Sequence, residues 1–260
     1  MAAAMSDVLF TYVTGALWIV LFAAYGVRVA TAGAYRSERV AGVGGTAIMG
    51  QNMMQATYWG LDPIVRALVA IRLTANGVTT IALVLGIAAG VAVALGQFGL
   101  ACLLSTVSTL CDILDGQVAR LTSTGSERGE LFDAVVDRYT EFALIGGFVI
   151  YAHATWWLVV VALVALQASY MISYASAKAD GLGIKIPRGL MRRHERAACL
   201  TLAAGLVPVL GPALHLRWPD LPASTVFGIG LGLVASIGSV AAVRRFMWIS
   251  EGLRQRAGTR

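Results

Sequence analysis

Charged residues are scarce in this sequence. Only 13% of its 260 residues are Asp, Glu, Lys or Arg, 58% are hydrophobic, and the mean hydropathy is +0.74. Because soluble domains carry roughly 25% charged residues, this composition excludes an ordinary soluble globular protein. It is typical of a helical protein that crosses a membrane several times, and we predict an all-α polytopic fold.

Cysteine and histidine are also rare, with three residues of each. Cys102, Cys111 and Cys199 each lie in or beside an apolar run, which favours reduced, buried thiols over disulfides. The histidines show neither the spacing of a zinc site nor a Ser-His-Asp arrangement. His194 lies in a basic loop, where we expect it to be solvated.

Positive charge is absent before the first long apolar segment, residues 8–27, and Arg28, Arg36 and Arg39 follow it. A cleaved signal peptide has the opposite flanks, so the pattern predicts an N-terminal transmembrane helix with its N-terminus outside. The later apolar segments predict a six-helix transmembrane core, each span being near the ~20 residues that a bilayer requires. These spans are residues 78–95, 98–119, 131–152, 155–177, 197–214 and 225–247.

The net charge of +6 would suit nucleic-acid binding, but the positive charges line one side of the predicted membrane. With the loop over residues 28–76 inside, only Arg217 of the 20 Lys and Arg residues lies outside. Positively charged loops mark the cytoplasmic side. We therefore predict an integral protein of the bacterial inner (plasma) membrane, with membrane lipids and no nucleic acid as partners.

Asp62 and Pro63 indicate a helix start, with Asp as the N-cap and Pro in the first turn. The apolar stripe of Ile64, Leu68 and Ile71 then predicts an amphipathic helix lying along the membrane interface. The Gly- and Ala-rich stretch before it is predicted as a loop. The predicted segments are an N-terminal transmembrane helix with a cytoplasmic linker (1–61), the main membrane domain (62–250) and a cytoplasmic tail (251–260).

Acidic residues recur at helical spacing in two neighbouring spans. One face of the first span carries Asp112, Asp115, Gly116, Ala119 and Arg120, and one face of the second carries Gly129, Asp133 and Asp137. The connecting loop, residues 121–128, is short enough to make the helices an antiparallel pair, so their four carboxylates can converge. Because ionised carboxylates so close would repel, either some of them are protonated or a cation holds them. An all-oxygen acidic cluster suits a hard divalent ion, Mg²⁺ or Mn²⁺.

Small and basic residues accompany these acids. Gly116, Ala119 and Gly129 leave room for a ligand against the backbone, and Arg120 offers a fixed positive fork for phosphate. Together with a metal, these residues predict a site for a phosphate-bearing substrate such as a nucleotide. The topology predicts that the site opens to the cytoplasm.

These residues carry a resemblance to a known family. The pattern Asp112-x-x-Asp115-Gly116-x-x-Ala119-Arg120, then eight residues, then Gly129-x-x-x-Asp133-x-x-x-Asp137, is similar to the signature of the CDP-alcohol phosphotransferase family. The resemblance implies a homodimer that transfers the phosphatidyl group of a CDP-linked lipid, such as CDP-diacylglycerol, to an alcohol and releases CMP. It implies two metal ions on Asp112, Asp115, Asp133 and Asp137, with Asp137 also the general base. It implies that the CDP group binds to Asp115, Gly116, Ala119, Arg120 and Gly129.

A second polar region, residues 167–196, is the candidate acceptor site. The residues predicted to bind the acceptor are Tyr174 and Lys178 on the fourth core span and Arg193 and Arg196 at the start of the fifth. Of these residues, Lys178, Arg193 and Arg196 are cations at helix ends that we expect to border the acidic site, where they could hold a second phosphate. The other basic residues of the loop, Lys185, Arg188 and Arg192, are explained equally well by the positive-inside rule.

This region resembles the phosphatidylinositol-phosphate synthase branch of the family, in which a basic pocket holds inositol phosphate. Ser176 and Lys178 stand where that branch typically has lysine and arginine. A basic pocket favours a phosphorylated acceptor, inositol phosphate or glycerol 3-phosphate. It disfavours choline and ethanolamine, because both are cationic.

Two other classes of protein are alternatives to an enzyme. Intramembrane acids also mark ion pathways in transporters, although transport does not require the small residues and the arginine of this motif. A scaffold with a decayed motif would lack motif positions, and none is missing here. Glu141, one turn beyond Asp137, is expected to be structural and to pair with Arg138 or a tyrosine.

Overall fold

The computed structural model describes residues 2–37, 40, 50–187 and 189–258, so that Arg39 and Arg188 lie outside the described residues. This part of the chain contains eight helices and no strand, which confirms the all-α prediction. The helices are α1 (Ala2–Ala32), α2 (Gln51–Ala70), α3 (Ala75–Ala94), α4 (Phe98–Leu121), α5 (Glu127–Tyr151), α6 (Trp156–Gly181), α7 (Arg193–Arg217) and α8 (Thr225–Gly258).

Six of the described helices, α1, α3, α4, α6, α7 and α8, are long and apolar enough to cross a membrane. The chain is therefore an integral membrane protein with the predicted N-terminal transmembrane helix. The predicted span over residues 131–152 falls in α5, which has 25 residues but is highly charged in its first half. Its charged residues are Glu127, Arg128, Glu130, Asp133, Asp137, Arg138 and Glu141. Charged side chains in such a helix require partners inside the bundle.

The predicted helix start at Asp62 is wrong. Helix α2 begins at Gln51 and continues through Pro63. Asp62 does not cap a helix but pairs with Arg66 one turn later, at 2.9 Å. The turns before Pro63 are stabilised by tertiary contacts that local sequence signals do not report: the Gln55 side chain accepts a hydrogen bond from the Ser37 amide at 2.8 Å.

Helix α2 packs on the bundle with residues outside the predicted apolar stripe. Leu61 and Val65 are buried against α3 and α4. Of the stripe, Leu68 is partly buried against the same cluster, and Ile64 and Ile71 are exposed. Because these residues point away from the protein, α2 has apolar side chains both toward the bundle and away from it, as an interfacial helix requires.

Helix α3 is the platform on which both motif helices pack most extensively. At its crossing with α5, a side chain on Gly90 would collide with the Ala143 carbonyl, and one on Gly147 would collide with the Gly90 carbonyl. Small residues thus bring the two backbones into direct contact. Since α4 packs on the same helix, this contact sets the position of the α5 acids relative to the α4 acids.

A methyl group added at Gly90 tests this packing. We expect Gly90→Ala to destabilise the protein by about 1–3 kcal/mol, the usual cost of overpacking a tight contact. The matched control is Gly232→Ala, because no heavy atom lies within 4 Å of a Cβ placed there. Both changes alter helix propensity alike, so the difference between their unfolding free energies in detergent isolates the α3–α5 contact. Equal stabilities of the two variants would contradict it.

Candidate active site

Three carboxylates converge where α4 and α5 face each other. One oxygen each of Asp112, Asp133 and Asp137 lies within 4.8 Å of the others. The predicted convergence of acids from two helices is therefore confirmed for these three residues. Asp137 is the most buried of them, with 8% of its surface exposed.

Asp115, the fourth predicted metal ligand, lies one turn further along α4. It is 6% exposed and accepts a hydrogen bond from the Thr79 hydroxyl at 2.6 Å. It is not a member of the three-carboxylate group, and its role as a metal ligand stays a prediction. Thr79 was not found by sequence reasoning, because its proximity to Asp115 arises only from the packing of α3 on α4.

The chemistry of the cluster fits a divalent cation. The Oδ1 atom of Asp133 is buried and has no hydrogen-bond partner in the part of the chain that the structure describes. Carboxylate oxygens are the donors that Mg²⁺ and Mn²⁺ prefer. The Arg193 guanidinium donates to Asp112 Oδ1 at 2.7 Å and pairs with Asp137. One protein cation therefore partly neutralises the group.

A large cavity of about 1430 Å³ opens on one side of the cluster. All five residues predicted to bind the CDP group line it: Asp115, Gly116, Ala119, Arg120 and Gly129. Asp112 and Asp133 line the same cavity. The Ser126 hydroxyl caps the start of α5 by accepting from the Gly129 amide at 3.1 Å, which holds the loop between the motif helices at the cavity rim.

A smaller cavity of about 370 Å³ lies on the other side and is rich in arginine. Its polar lining residues include Asp137, Arg138, Glu141, Ser173, Ser176, Arg192, Arg193, Arg196 and Arg245. Arg138 and Arg245 were missed as candidate site residues. Arg245 had a detectable signal, since it is a cation that ends an otherwise apolar span, but the partner helix could not be read from the sequence.

Two predicted acceptor residues are not brought to either cavity. Tyr174 is 56% exposed and its ring lies 6.4 Å from that of Phe246 on α8. Lys178 is also exposed and lines neither of the two cavities. Ser173 and Ser176 of the same helix do line the small cavity, and the acceptor role of Tyr174 and Lys178 stays a prediction.

The expected partner of Glu141 is wrong. Glu141 pairs with Arg196, whose Nε and Nη2 atoms donate to the two carboxylate oxygens at 2.7 and 2.9 Å. Arg196 is 1% exposed and its Nη1 donates to the Met191 carbonyl at 2.9 Å. Arg138, the expected partner, instead donates to the Ala134 carbonyl. Arg196 therefore ties the start of α7 to α5 as well as lining the small cavity.

The start of α7 separates the two cavities. Arg192, Arg193 and His194 line both of them. The expectation that His194 is solvated is wrong, because its ring is half-buried between the cavities. Asp112 and Asp133 face the large cavity and Asp137 faces the small one. A group in either cavity thus has access to the same carboxylate cluster.

Comparison with known proteins identifies the family to which this chain belongs. The model of the CDP-alcohol phosphatidyltransferase family matches residues 72–234, which is more than half of the chain and contains the whole aspartate motif. The chain belongs to this family. Its members are transferases, so the transporter and scaffold alternatives are not favoured.

Similar proteins within the family share one activity. The phosphatidylinositol phosphate synthase of Corynebacterium glutamicum is 31% identical over 188 residues, covering 67% of this chain and 82% of that protein. A crystal structure of the Mycobacterium tuberculosis phosphatidylinositol phosphate synthase with CDP-DAG bound matches with a TM-score of 0.62 and 26% identity, covering 72% of this chain and 92% of that one. The structure of the same enzyme with manganese and citrate matches with a TM-score of 0.63 and 26% identity, covering 72% and 87%.

The Arg196–Glu141 pair gives a stability prediction. Arg196→Met leaves Glu141 unpaired in the bundle, and we expect a loss of about 3–5 kcal/mol in the free energy of unfolding. The double variant Arg196→Met/Glu141→Leu removes both charges and should recover most of that loss. Unfolding in detergent measures both. A double variant as unstable as Arg196→Met would contradict the pairing.

Proposed function

We propose that this enzyme transfers the phosphatidyl group of a CDP-diacylglycerol-like lipid to a hydroxyl of inositol phosphate and releases CMP. The observation that carries the proposal is the carboxylate cluster between two unlike cavities. One contains the nucleotide motif and the other is lined by arginines. The activity of the relatives supports the same reaction.

The large cavity suits the donor. Its volume of about 1430 Å³ exceeds the roughly 300–1,000 Å³ of ordinary small-molecule sites, as a nucleotide joined to a lipid requires. Arg120 and the small residues of the motif line it beside Asp112 and Asp133. A pyrophosphate bound there lies against the carboxylate cluster.

The small cavity suits a phosphorylated acceptor. At about 370 Å³ it can hold a polar molecule but not a lipid. Five arginines line it against the three acids Asp137, Glu141 and Asp180, so its positive charge favours a phosphate ester. The same charge would repel choline and ethanolamine.

The aspartates would hold the metal. Asp112, Asp115, Asp133 and Asp137 are the proposed ligands of two divalent ions, Mg²⁺ or Mn²⁺, and a manganese-bound relative supports this assignment. When bound, the ions supply charge neutralisation for the pyrophosphate of the donor. They would also take over the neutralisation of Asp112 and Asp137, which frees Arg193 for the phosphate of the acceptor.

The protein side chains then perform the transfer. Asp137, at the acceptor cavity, accepts the proton of the attacking hydroxyl. The hydroxyl oxygen forms a bond to the lipid-linked phosphorus, and the bond from that phosphorus to the CMP oxygen breaks. Arg120 stabilises the charge on the donor phosphates, and Arg193 and Arg196 orient the acceptor.

Other observations support a proposal for the orientation and assembly of the enzyme. We propose that residues 62–250 form the catalytic domain, consistent with the family match, and that its site faces the cytoplasm. The predominance of Lys and Arg at the end of the bundle that contains the site supports this orientation. The family resemblance supports a homodimer, which the mass of the purified protein in detergent would test.

The proposed reaction predicts metal-dependent CMP release. Purified protein with CDP-diacylglycerol and Mg²⁺ or Mn²⁺ should release CMP rapidly with inositol phosphate, more slowly with glycerol 3-phosphate and negligibly with choline. EDTA should abolish the release and added metal should restore it. CMP release that is indifferent to EDTA, or fastest with choline, would contradict the proposal.

The role of Asp137 gives a kinetic prediction. Asp137→Asn preserves the size of the side chain but cannot accept the proton, so kcat should fall by about 10²–10⁴-fold. Titration of Mn²⁺ by electron paramagnetic resonance checks that metal still binds. Near-normal turnover with metal bound would exclude Asp137 as the base.

The KM for inositol phosphate distinguishes predicted acceptor residues that line a cavity, such as Arg193, from those that do not, such as Lys178. Arg193→Gln removes a cation that lines both cavities and should raise the KM for inositol phosphate by about tenfold or more, since a charged hydrogen bond contributes about 1.5–3 kcal/mol. Lys178→Gln tests the role predicted for an exposed residue, and Lys185→Gln is the control for loss of surface charge. A KM that rises for Lys178→Gln but not for Arg193→Gln would move the acceptor site to the outer face of α6.

A further inference from the structure

Helix α1 is hydrogen-bonded to α4 near its N-terminus. The Asp7 carboxylate accepts hydrogen bonds from the Gly99 and Leu100 amides at 2.8 and 3.0 Å. These amides belong to the first turn of α4, whose own N-cap residue, Gln97, makes no side-chain cap. The Asp7 side chain supplies that missing cap, so the approach of α1 to α4 is specific.

Near its C-terminal end, helix α1 makes aromatic and cation–π contacts with α2 and with the segment that follows α1. The buried Tyr25 ring lies 5.8 Å from the ring of Trp59 on α2. The Arg28 guanidinium lies 5.8 Å from the Trp59 ring and 5.7 Å from the Tyr35 ring, which is the geometry of a cation–π contact. With both ends held, the middle of α1 has a defined position.

The middle of α1 lines the large cavity. Thr11, Thr14, Gly15 and Trp18 share one face of the helix and all contribute to the cavity wall. The cavity is also lined by apolar side chains of the two helices on which α1 packs, namely Leu110 and Ile113 of α4 and Ala198, Leu202 and Leu206 of α7. The same cavity contains Asp112, Asp115 and Arg120. One continuous space therefore runs from the nucleotide motif to the N-terminal helix, which lies outside the region matched by the family.

We infer that α1 forms one wall of the chamber that receives the acyl chains of the donor lipid, and that the absence of a side chain at Gly15 leaves room for long chains. This inference rests on the proposed function. A CDP-lipid with its pyrophosphate at the motif must extend its chains along the remainder of the same cavity, which α1, α4 and α7 line together. Because the chains come from an apolar bilayer, this wall acts through the shape and packing of the space it encloses rather than through removal of the chains from water. The N-terminal helix is thus a determinant of donor specificity.

The position of Gly15 allows a sharp test. A Cβ atom placed on Gly15 meets no heavy atom within 4 Å, and Gly15 lines the cavity, so a side chain can be added at this wall without an immediate collision. Gly26, on the same helix, also has no atom within 4 Å but does not line the cavity. Gly15→Trp and Gly26→Trp are therefore matched in residue type, in helix and in added volume.

The experiment measures KM and kcat with a dioleoyl and a dihexanoyl CDP-diacylglycerol in mixed micelles. Gly15→Trp should raise the KM for the dioleoyl donor by about tenfold or more, because the indole occupies space that the long chains need, and leave the KM for the dihexanoyl donor within about twofold. Gly26→Trp should change neither. Gly15→Leu should give a smaller effect of the same sign and serves if the tryptophan variant does not fold.

The outcomes separate this inference from the proposed function. If the wild type releases CMP from neither donor, the proposed function fails. If the wild type is active but the Gly15 variants leave the dioleoyl KM unchanged, or raise both KM values equally, then α1 does not contact the acyl chains and the inference is overturned. An equal effect of Gly26→Trp would likewise overturn it, because the effect would then come from the surrounding lipid.

Discussion

Electrostatic repulsion among three carboxylates is the constraint on which this site depends. Asp112, Asp133 and Asp137 have oxygens within 4.8 Å of one another. At that separation two unit negative charges repel by about 3 kcal/mol, taking an effective dielectric constant of about 20. The bundle holds them together by packing α4 and α5 on α3, and Arg193 compensates two of them. Protons or cations must offset this repulsion, and on the metal assignment proposed above, a bound ion would compete with Arg193 for Asp112 and Asp137.

Two separate cavities adjoin the carboxylate cluster, and this arrangement suits a transfer between two different substrates. A large cavity approaches the acids from one side and a small arginine-lined cavity approaches from the other. A donor phosphate and an acceptor hydroxyl can therefore meet at one point without sharing a binding pocket. The buried Arg196–Glu141 pair ties the start of α7 to α5, so the helix that separates the cavities is fixed to one that carries two of the acids.

Helical spacing in the sequence predicted the aspartates of the site, but not the side chains that other helices bring next to them. Asp112, Asp133 and Asp137 were predictable because the period of the helix puts each on a defined face, and the short loop brings the faces together. The start of α2 was wrong because burial of Gln55 and Tyr58 outweighs the local Asp-Pro signal. Thr79 and Arg138 were not predictable, since each reaches the site through helix contacts that a single sequence does not encode locally. Arg245 had a signal as a cation that ends an apolar span, but the sequence did not show which helix it contacts.

The most direct measurement of the central claim is a crystal structure of the protein soaked with Mn²⁺, with anomalous scattering recorded near the manganese edge. The account predicts anomalous peaks between α4 and α5, within coordination distance of Asp112, Asp133 and Asp137, with the Arg193 guanidinium displaced from Asp112 and Asp137. Peaks at other residues, or a cluster without manganese in which Arg193 keeps both ion pairs at saturating Mn²⁺, would contradict it.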